Sequence, residues 1–418
     1  MKNTFGFSEK LLSLAREAEA DIRPQFAEID AIAEANTEKV MAAFQAERVD
    51  EACFAGTTGY GYDDRGREVL DRVYARVFGT EAALVRTSFA NGTHAITCAL
   101  FAALKPGDVL LAATGIPYDT LQTAIGISGD AFGSLKYYGI DYAQVDLRED
   151  GSPDLEAIAK AAADPRVKAV EVQRSRGYAG RPSLSPETIG EICKAVRSTN
   201  PHAAILVDNC YGEFTDYTEP TEHGADLIVG SLIKNPGGGI APCGGYIAGR
   251  RELVENAAAR LTSPGIGGEV GATQNANRSL FEGFFLAPHV TAQAMKTALF
   301  CARLMERMGY EVSPKSSEKR YDIIQTVIFR DPELLKRFCR GIQAGAPVDS
   351  FVTPEPWDMP GYDTPVIMAA GAFIQGASIE LSADGPMREP YRAYMQGGIT
   401  YESGKLGIML AAQMLIEK

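Results

Sequence analysis

Lys234 closes an apolar run, "ADLIVGSLIK", and opens a stretch, "NPGGGIAPCGG", that has almost no side-chain bulk. Asp208 stands 26 residues earlier, at the end of a second apolar run, "AAILVDN". A lysine that is desolvated or sits near a cationic ligand has its pKa lowered, and its amine is then free to attack a carbonyl. The small neighbours would let a flat ligand lie close to the backbone. A carboxylate that finishes a buried strand is costly unless a cation faces it. Each residue also has an ordinary reading: a surface lysine beginning a Gly-rich turn, and an aspartate capping the next helix. Taken together they make one chemistry, an amine that can bond to an aldehyde beside a carboxylate that can hold a ring nitrogen positive.

That chemistry belongs to pyridoxal 5'-phosphate, whose ring accepts the electrons of a substrate carbanion while its nitrogen is protonated. Such a cofactor needs a phosphate cradle, and "RTSFANGTHAITCALF" supplies one. Asn91, Gly92 and Thr93 lead from a strand end into a helix, where free N–H groups and the positive dipole end bind phosphate. Ser231, just before Lys234, can reach the same phosphate. Tyr118 in "GIPYDTLQ" opens a helix behind Pro117, so its ring can stack on the pyridine. The plain alternatives are a capped turn for "NGT" and a core-packed boundary tyrosine. His94 reads as a packed helix residue rather than a base.

The elements that would position these groups are short apolar runs alternating with helical patterns. "AALVR", "DVLLAAT", "KAVEVQ", "AAILVDN", "ADLIVGSLIK" and "GGYIAG" read as strands, with helices such as "SPETIGEICKAVRST" between most of them. The expectation is an α/β fold: a mainly parallel sheet with helices on both faces, ligands lying at the carboxyl ends of the strands. Residues 1–50 read as a helical N-terminal arm broken near Pro24, 51–288 as the large domain and 289–418 as a smaller α+β domain. A long helix, "VTAQAMKTALFCARLMERMG", is expected after Pro288.

Composition narrows the function. A net charge of −13 over 418 residues argues against nucleic acid or anionic lipid as partner. No apolar run nears the roughly 20 residues of a membrane span, and the first residues lack the apolar block of a secretion signal. The seven cysteines are scattered in apolar contexts without a C-x-x-C pair, as expected of a reduced cytoplasm. The four histidines have no metal-ligand spacing.

The motifs "GYGYDDRGREVLDRVYARVFG", "NGTHAI", "GIPYDTLQTAIG", "VQRSRGYAGRPSL", "VDNCYGEF", "SLIKNPGGGIAPCGGYIAG" and "IELSADGPMREPY" resemble the methionine γ-lyase-like family of fold type I pyridoxal-phosphate enzymes. Members of that family are often labelled cystathionine β-lyases or aluminium-resistance proteins. The resemblance implies a carbon–sulfur lyase acting on a sulfur amino acid by α,β- or α,γ-elimination, assembled as a homotetramer of catalytic dimers. It implies that Lys234 bonds to the cofactor aldehyde and then serves as general base. Asp208 would pair with the ring nitrogen, Tyr118 would stack on the ring, and Asn91, Gly92, Thr93 and Ser231 would hold the phosphate. Gln173 and Arg174 would lie near the ring oxygen. The segment from Tyr60 through Tyr62 to Arg67 would come from a neighbouring subunit, bringing a tyrosine and Arg67 to phosphate or substrate. In such an elimination Tyr60, Tyr62 or Tyr118 is the candidate to protonate the departing sulfur.

One position departs from the family pattern. Glu380 in "IELSADG" stands where better-known sulfur-amino-acid lyases carry a carboxylate-binding arginine, a contact glutamate cannot make. Arg388 and Arg176 are the substitutes. Transamination or aldol cleavage on the same cofactor stays open, as does a non-catalytic binding protein on the same fold. A nucleotide site lacks its strand–glycine loop–helix context.

Overall fold

The computed structural model describes residues 3–129, 131–359 and 364–416. Two N-terminal helices, α1 (Glu9–Asp21) and α2 (Arg23–Ala46), are followed by α3 (Arg65–Val77). Pro24 sits in the first turn of α2, where a missing N–H costs nothing. Next come β1 (Ala82–Arg86), α4 (Gly92–Ala103), β2 (Val109–Ala112), α5 (Asp119–Ile125), β3 (Asp141–Gln144), α6 (Leu155–Ala162) and β4 (Val167–Gln173). Then α7 (Pro186–Thr199), β5 (Ala204–Asp208), β6 (Leu227–Ser231), β7 (Gly245–Gly249) and α8 (Arg251–Leu261) complete the larger unit.

The seven strands form one sheet in the order β1-β7-β6-β5-β4-β2-β3. Strands β6, β5, β4, β2 and β3 run parallel, and β7 is antiparallel to both of its neighbours. The central strands are buried along their whole length, which is why they read as continuous apolar runs rather than alternating ones. One apolar cluster, with Val170, Val172, Ile205 and Val207, lies on one face; another, with Leu110, Ala169, Leu206 and Val229, lies on the other.

The long helix α9 (Asn277–Arg307) begins well before the expected start and carries Pro288 inside it. A proline in a helix interior costs on the order of 3 kcal/mol. Here that cost is offset because the helix serves two cores. Leu280, Phe281, Phe284 and Ala287 pack into the larger core, and Val290, Met295, Leu299 and Met305 into the smaller one. The handover falls at Pro288. Beyond it lie β8 (Glu311–Ser313), β9 (Ile324–Ile328), α10 (Pro332–Ala344), β10 (Val366–Ala369), β11 (Ser382–Pro386), β12 (Arg392–Gln396) and α11 (Tyr401–Ile416). These five strands form an antiparallel sheet in the order β10-β11-β12-β9-β8. The N-terminal helices join both cores: Leu11, Ala15 and Ile29 pack in the smaller one, Val40 and Ala43 in the larger.

Candidate active site

The carboxyl ends of β4, β5 and β6 bring the predicted groups together. Asp208 ends β5 opposite Gln173, the end of β4, and Ser231 ends the neighbouring β6, so three strand ends present side chains to one place. A cavity of about 640 Å³ opens there, lined by Asn91, Gly92, Thr93, Tyr118, Gln173, Asp208, Ser231 and Lys234. Of the residues expected at the cofactor these eight lie on it, and Arg174 does not.

Lys234 follows β6 by three residues and leads into a 3-10 turn at Asn235–Gly237. Its ammonium donates to the Tyr211 hydroxyl and, at 3.4 Å, to Ser378 Oγ. It also lies 3.9 Å from the centre of the Tyr211 ring. Burial pulls its pKa down, but the Tyr211 oxygen, Cys210 and Asp208 outweigh burial and hold it above the usual lysine value. The expected depression is therefore absent with these side chains alone, because the groups that act most strongly on the amine are a carboxyl, a thiol and a phenol.

The surrounding glycines correct a second expectation. A Cβ on Gly237 would stand 1.7 Å from the Leu232 carbonyl oxygen, and one on Gly238 would stand 2.3 Å from that of Gly283. The small residues let the turn lie against its own strand and against α9. None of Gly237, Gly238 and Gly239 lines the cavity. Backbone packing, not a flat ligand, demands them.

Asp208 accepts from the Cys210 amide at 3.1 Å. Burial raises its pKa, and Cys210, Lys234 and Arg181 oppose that rise. A cationic ring at this carboxyl would supply what burial takes away.

The phosphate end is built by α4. Asn91 is its cap, and its side chain accepts from the His94 amide at 2.8 Å. The Gly92 and Thr93 amides donate to nothing among the described residues, and both residues face the cavity. A Cβ on Gly92 would come within 3.4 Å of Ser231 Cβ, so the helix start and the end of β6 close on one space. Thr93 Oγ1 bonds Tyr118 Oη at 3.0 Å, and Gln173 Oε1 accepts from the Tyr118 amide at 3.1 Å. Burial, then Asp208, pushes the Tyr118 phenol well above its ordinary value. His94 Nδ1 accepts from the Ala90 amide at 3.1 Å, which makes it a local cap and not a base.

The donor set fits pyridoxal phosphate: an amine, a buried carboxyl needing a cation, two unspent amides with two hydroxyls, and a tyrosine between them. Lys234, Asp208, Thr93, Ser231 and Tyr118 are the residues that would hold it.

Several predicted residues lie outside this chain's cavity; of these, Arg67, Tyr60 and Tyr62 are the ones expected at a neighbouring subunit's site. Arg174 is wholly buried, donates to Asn209 at 2.7 Å and pairs with Glu219 at 2.9 Å. It does not line the cavity; the alternation of strand β4 continued through Gln173 turns its neighbour to the opposite side. Arg67 is likewise buried within its own chain, donating to the carbonyls of Gly61, Gly271 and Glu269 at 2.6, 3.0 and 3.1 Å. It ties two loops together and is not aimed at this chain's cavity. Tyr60 and Tyr62 are 76% and 60% exposed and lie outside the cavity lining.

Glu380 accepts from the Phe373 and Ile374 amides, each at 2.9 Å, and so anchors a loop. Arg176 lines the cavity while donating to Ser313 at 2.9 Å and facing Asp322 at 4.0 Å. Arg388 lines the cavity, is exposed, and has no side-chain bond or ion pair among the described residues.

Sequence reasoning missed Tyr211, although "VDNCYGEF" contains it. Its φ of 71° is rare for a bulky residue, and this strained backbone aims the hydroxyl at Lys234. Ser378, Tyr178, Asp384, Tyr394 and Gln396 were also missed. They reach the site from segments distant from Lys234; Tyr178 and Asp384 lie in two of the quoted runs, but nothing in their residue types singles them out.

The fold and the site define a class: a fold type I pyridoxal-phosphate enzyme of the carbon–sulfur lyase kind. A family model described as methionine gamma-lyase matches residues 11–416, and the chain belongs to that family. The family implies pyridoxal phosphate as cofactor. A solved structure described as a carbon-sulfur lyase involved in aluminium resistance, from Clostridium novyi NT, is 53% identical with a TM-score of 0.94, covering 97% of this chain and 96% of that one. The Bacillus subtilis (strain 168) protein YnbB, described as uncharacterized, is 49% identical over 100% of this chain and 99% of its own length. The Escherichia coli pyridoxal-5'-phosphate dependent protein YhfS shares the fold at 19% identity, with a TM-score of 0.61 over 92% of this chain and 95% of that one. No described helix is long and apolar enough to cross a membrane.

Proposed function

We propose that this chain cleaves a carbon–sulfur bond in a sulfur amino acid of the methionine, cystathionine or cysteine type, using pyridoxal 5'-phosphate held by Lys234. The observation that carries the reading is the meeting of the Lys234 amine, the Asp208 carboxyl and the Thr93–Tyr118 pair in one cavity. When bound, the cofactor draws off the electron pair of the substrate's Cα–H bond.

Lys234 takes the α-proton, and Tyr211 and Ser378 steer its amine toward it. Asp208 keeps the ring nitrogen protonated, which relieves its own buried charge. The Gly92 and Thr93 amides and the Ser231 hydroxyl take the phosphate. Tyr118 stacks on the ring, and its hydroxyl, kept protonated by burial, returns a proton to the departing sulfur. Arg388 binds the substrate carboxylate, since Arg176 is already engaged and Glu380 is turned away. Homotetrameric assembly from catalytic dimers in the cytoplasm is part of the same reading. The exposed Tyr60 and Tyr62, absent from their own chain's cavity, support it as groups offered to a neighbour.

Purified enzyme should show a visible absorption band that borohydride bleaches while fixing the cofactor to the Lys234 peptide. Cystathionine or methionine should then yield thiol and keto acid: pyruvate by β-elimination, 2-oxobutyrate by γ-elimination. A band without thiol release, with amino-group transfer instead, would replace this reading with transamination.

A further inference from the structure

Asp384 enters the cavity from the five-stranded sheet, where β11 pairs it with Met368 of β10 and Tyr394 of β12. It is 5% exposed. Its Oδ2 accepts from Tyr178 Oη at 2.8 Å and from Gln396 Nε2 at 3.1 Å. Its Oδ1 accepts nothing among the described residues, and no cation pairs with it within 4 Å. The Tyr178 and Tyr394 rings stand beside it, 4.9 Å apart and tilted by 38°, and Tyr394 Oη donates to the Tyr178 carbonyl at 2.6 Å. Burial raises the Asp384 carboxyl to about 6, opposed by Tyr178 and by the charge of Lys234. At neutral pH the group is therefore an anion with one oxygen unspent, in a wall of tyrosines.

A carboxylate so placed is costly unless a cation arrives, and an aromatic wall favours an ammonium. In the lyase reading the α-amine of the substrate is taken up by the cofactor aldehyde, so it is not the cation that satisfies Asp384. Four residues further along the chain, Arg388 is free to take a carboxylate. What remains is a second amino group, farther along the substrate.

We propose that Asp384 is a specificity-determining residue that selects thioether amino acids whose tail beyond the sulfur carries an ammonium group. The inference rests on the carbon–sulfur lyase reading for the orientation of the substrate. It separates substrates that a neutral pocket would accept alike, because a charged tail satisfies the buried carboxylate and a neutral tail leaves it unpaired.

The test uses a matched pair of nearly equal size, S-(2-aminoethyl)cysteine and S-propylcysteine, on the holoenzyme. They share the α-amino acid and differ in the terminal ammonium. Binding is read from the change in cofactor absorbance, and pyruvate is measured in the same samples. The wild type should bind the aminoethyl compound roughly tenfold or more tighter, and Asp384→Asn should bring that ratio close to one while Asp384→Glu keeps part of it. A wild-type ratio near one overturns the proposal without any variant, and so does an Asp384→Asn enzyme that keeps its cofactor band and an unchanged ratio. If the preference stands but neither compound yields pyruvate, the role of Asp384 holds and the lyase reading fails. If both yield pyruvate with a ratio near one, the lyase reading holds and the role of Asp384 fails.

Discussion

The cavity wall built by the seven-stranded sheet and the wall built by the five-stranded sheet hold their polar groups differently. In the first, Lys234 is bonded to Tyr211 and Ser378, Asp208 accepts from Cys210, and Gln173 spends its amide on Tyr118 and Ser175. In the second, Arg388 has no partner among the described residues and Asp384 keeps one oxygen unspent. A group that never changes can be met by side chains locked in place beforehand. A substrate that comes and goes needs bonding capacity left open, and that capacity is paid for by burial in the surrounding sheet.

The largest expected effect breaks the first wall. Lys234→Ala should remove the visible cofactor band and lower turnover by at least about 10²–10⁴-fold, the range for losing a general base. A retained band that borohydride still fixes to the protein would place the reactive amine elsewhere. Arg388→Gln should leave the band intact and raise KM for an amino-acid substrate by roughly 10- to 100-fold, the worth of about 1.5–3 kcal/mol for a bond to a charged group. An unchanged KM would move the carboxylate contact to Arg176 and blur the contrast between the walls.

Arg174 sharpens the contrast from outside the cavity. Arg174→Met leaves Glu219 buried without its cation, so a loss of about 3–5 kcal/mol in unfolding free energy is expected. It should appear in the urea midpoint and not in KM.

The last effect is a pH dependence. Glu171 on β4 is buried with both carboxyl oxygens unbonded, and burial, then Asp208, raises it to about 8 from 4.5. Between those values the folded protein keeps a proton that the unfolded chain has lost, so the stabilising contribution is full below about 4.5 and fades as pH rises through 8. Glu171→Gln cannot ionise, so its stability relative to wild type should increase across that window. Parallel urea curves at pH 5 and 8 check it; a constant difference would mean that Glu171 has an ordinary pKa.

Much of the first wall was legible from runs of residues. Asp208 and Lys234 each close an apolar segment, and a buried parallel strand leaves its functional group at its end. Asn91–Thr93 announce a helix start by residue type. The edge strand β3 was not legible, because "DYAQ" is partly exposed and has no apolar run to mark it. Strand β12 was overlooked for a similar reason: "RAYMQ" is short and begins and ends with polar residues. Of the second wall only Arg388 was singled out: Asp384 lies in the same quoted run, "IELSADGPMREPY", with nothing in its residue type to mark it, and Gln396 comes from a separate strand.

The order of residues along the chain was enough to specify the strand ends, the phosphate-binding helix start and the lysine–aspartate pair, because each follows from chemistry within one element and its flanks. The route of the backbone in space settled three other matters. It took Arg174 out of this chain's cavity, assigned the glycines after Lys234 to contact with α9, and set Tyr211 and Ser378 beside the amine. Those outcomes depend on which distant segments pack together, and pairings of that kind are sums over many weak contacts that no short stretch of residues encodes.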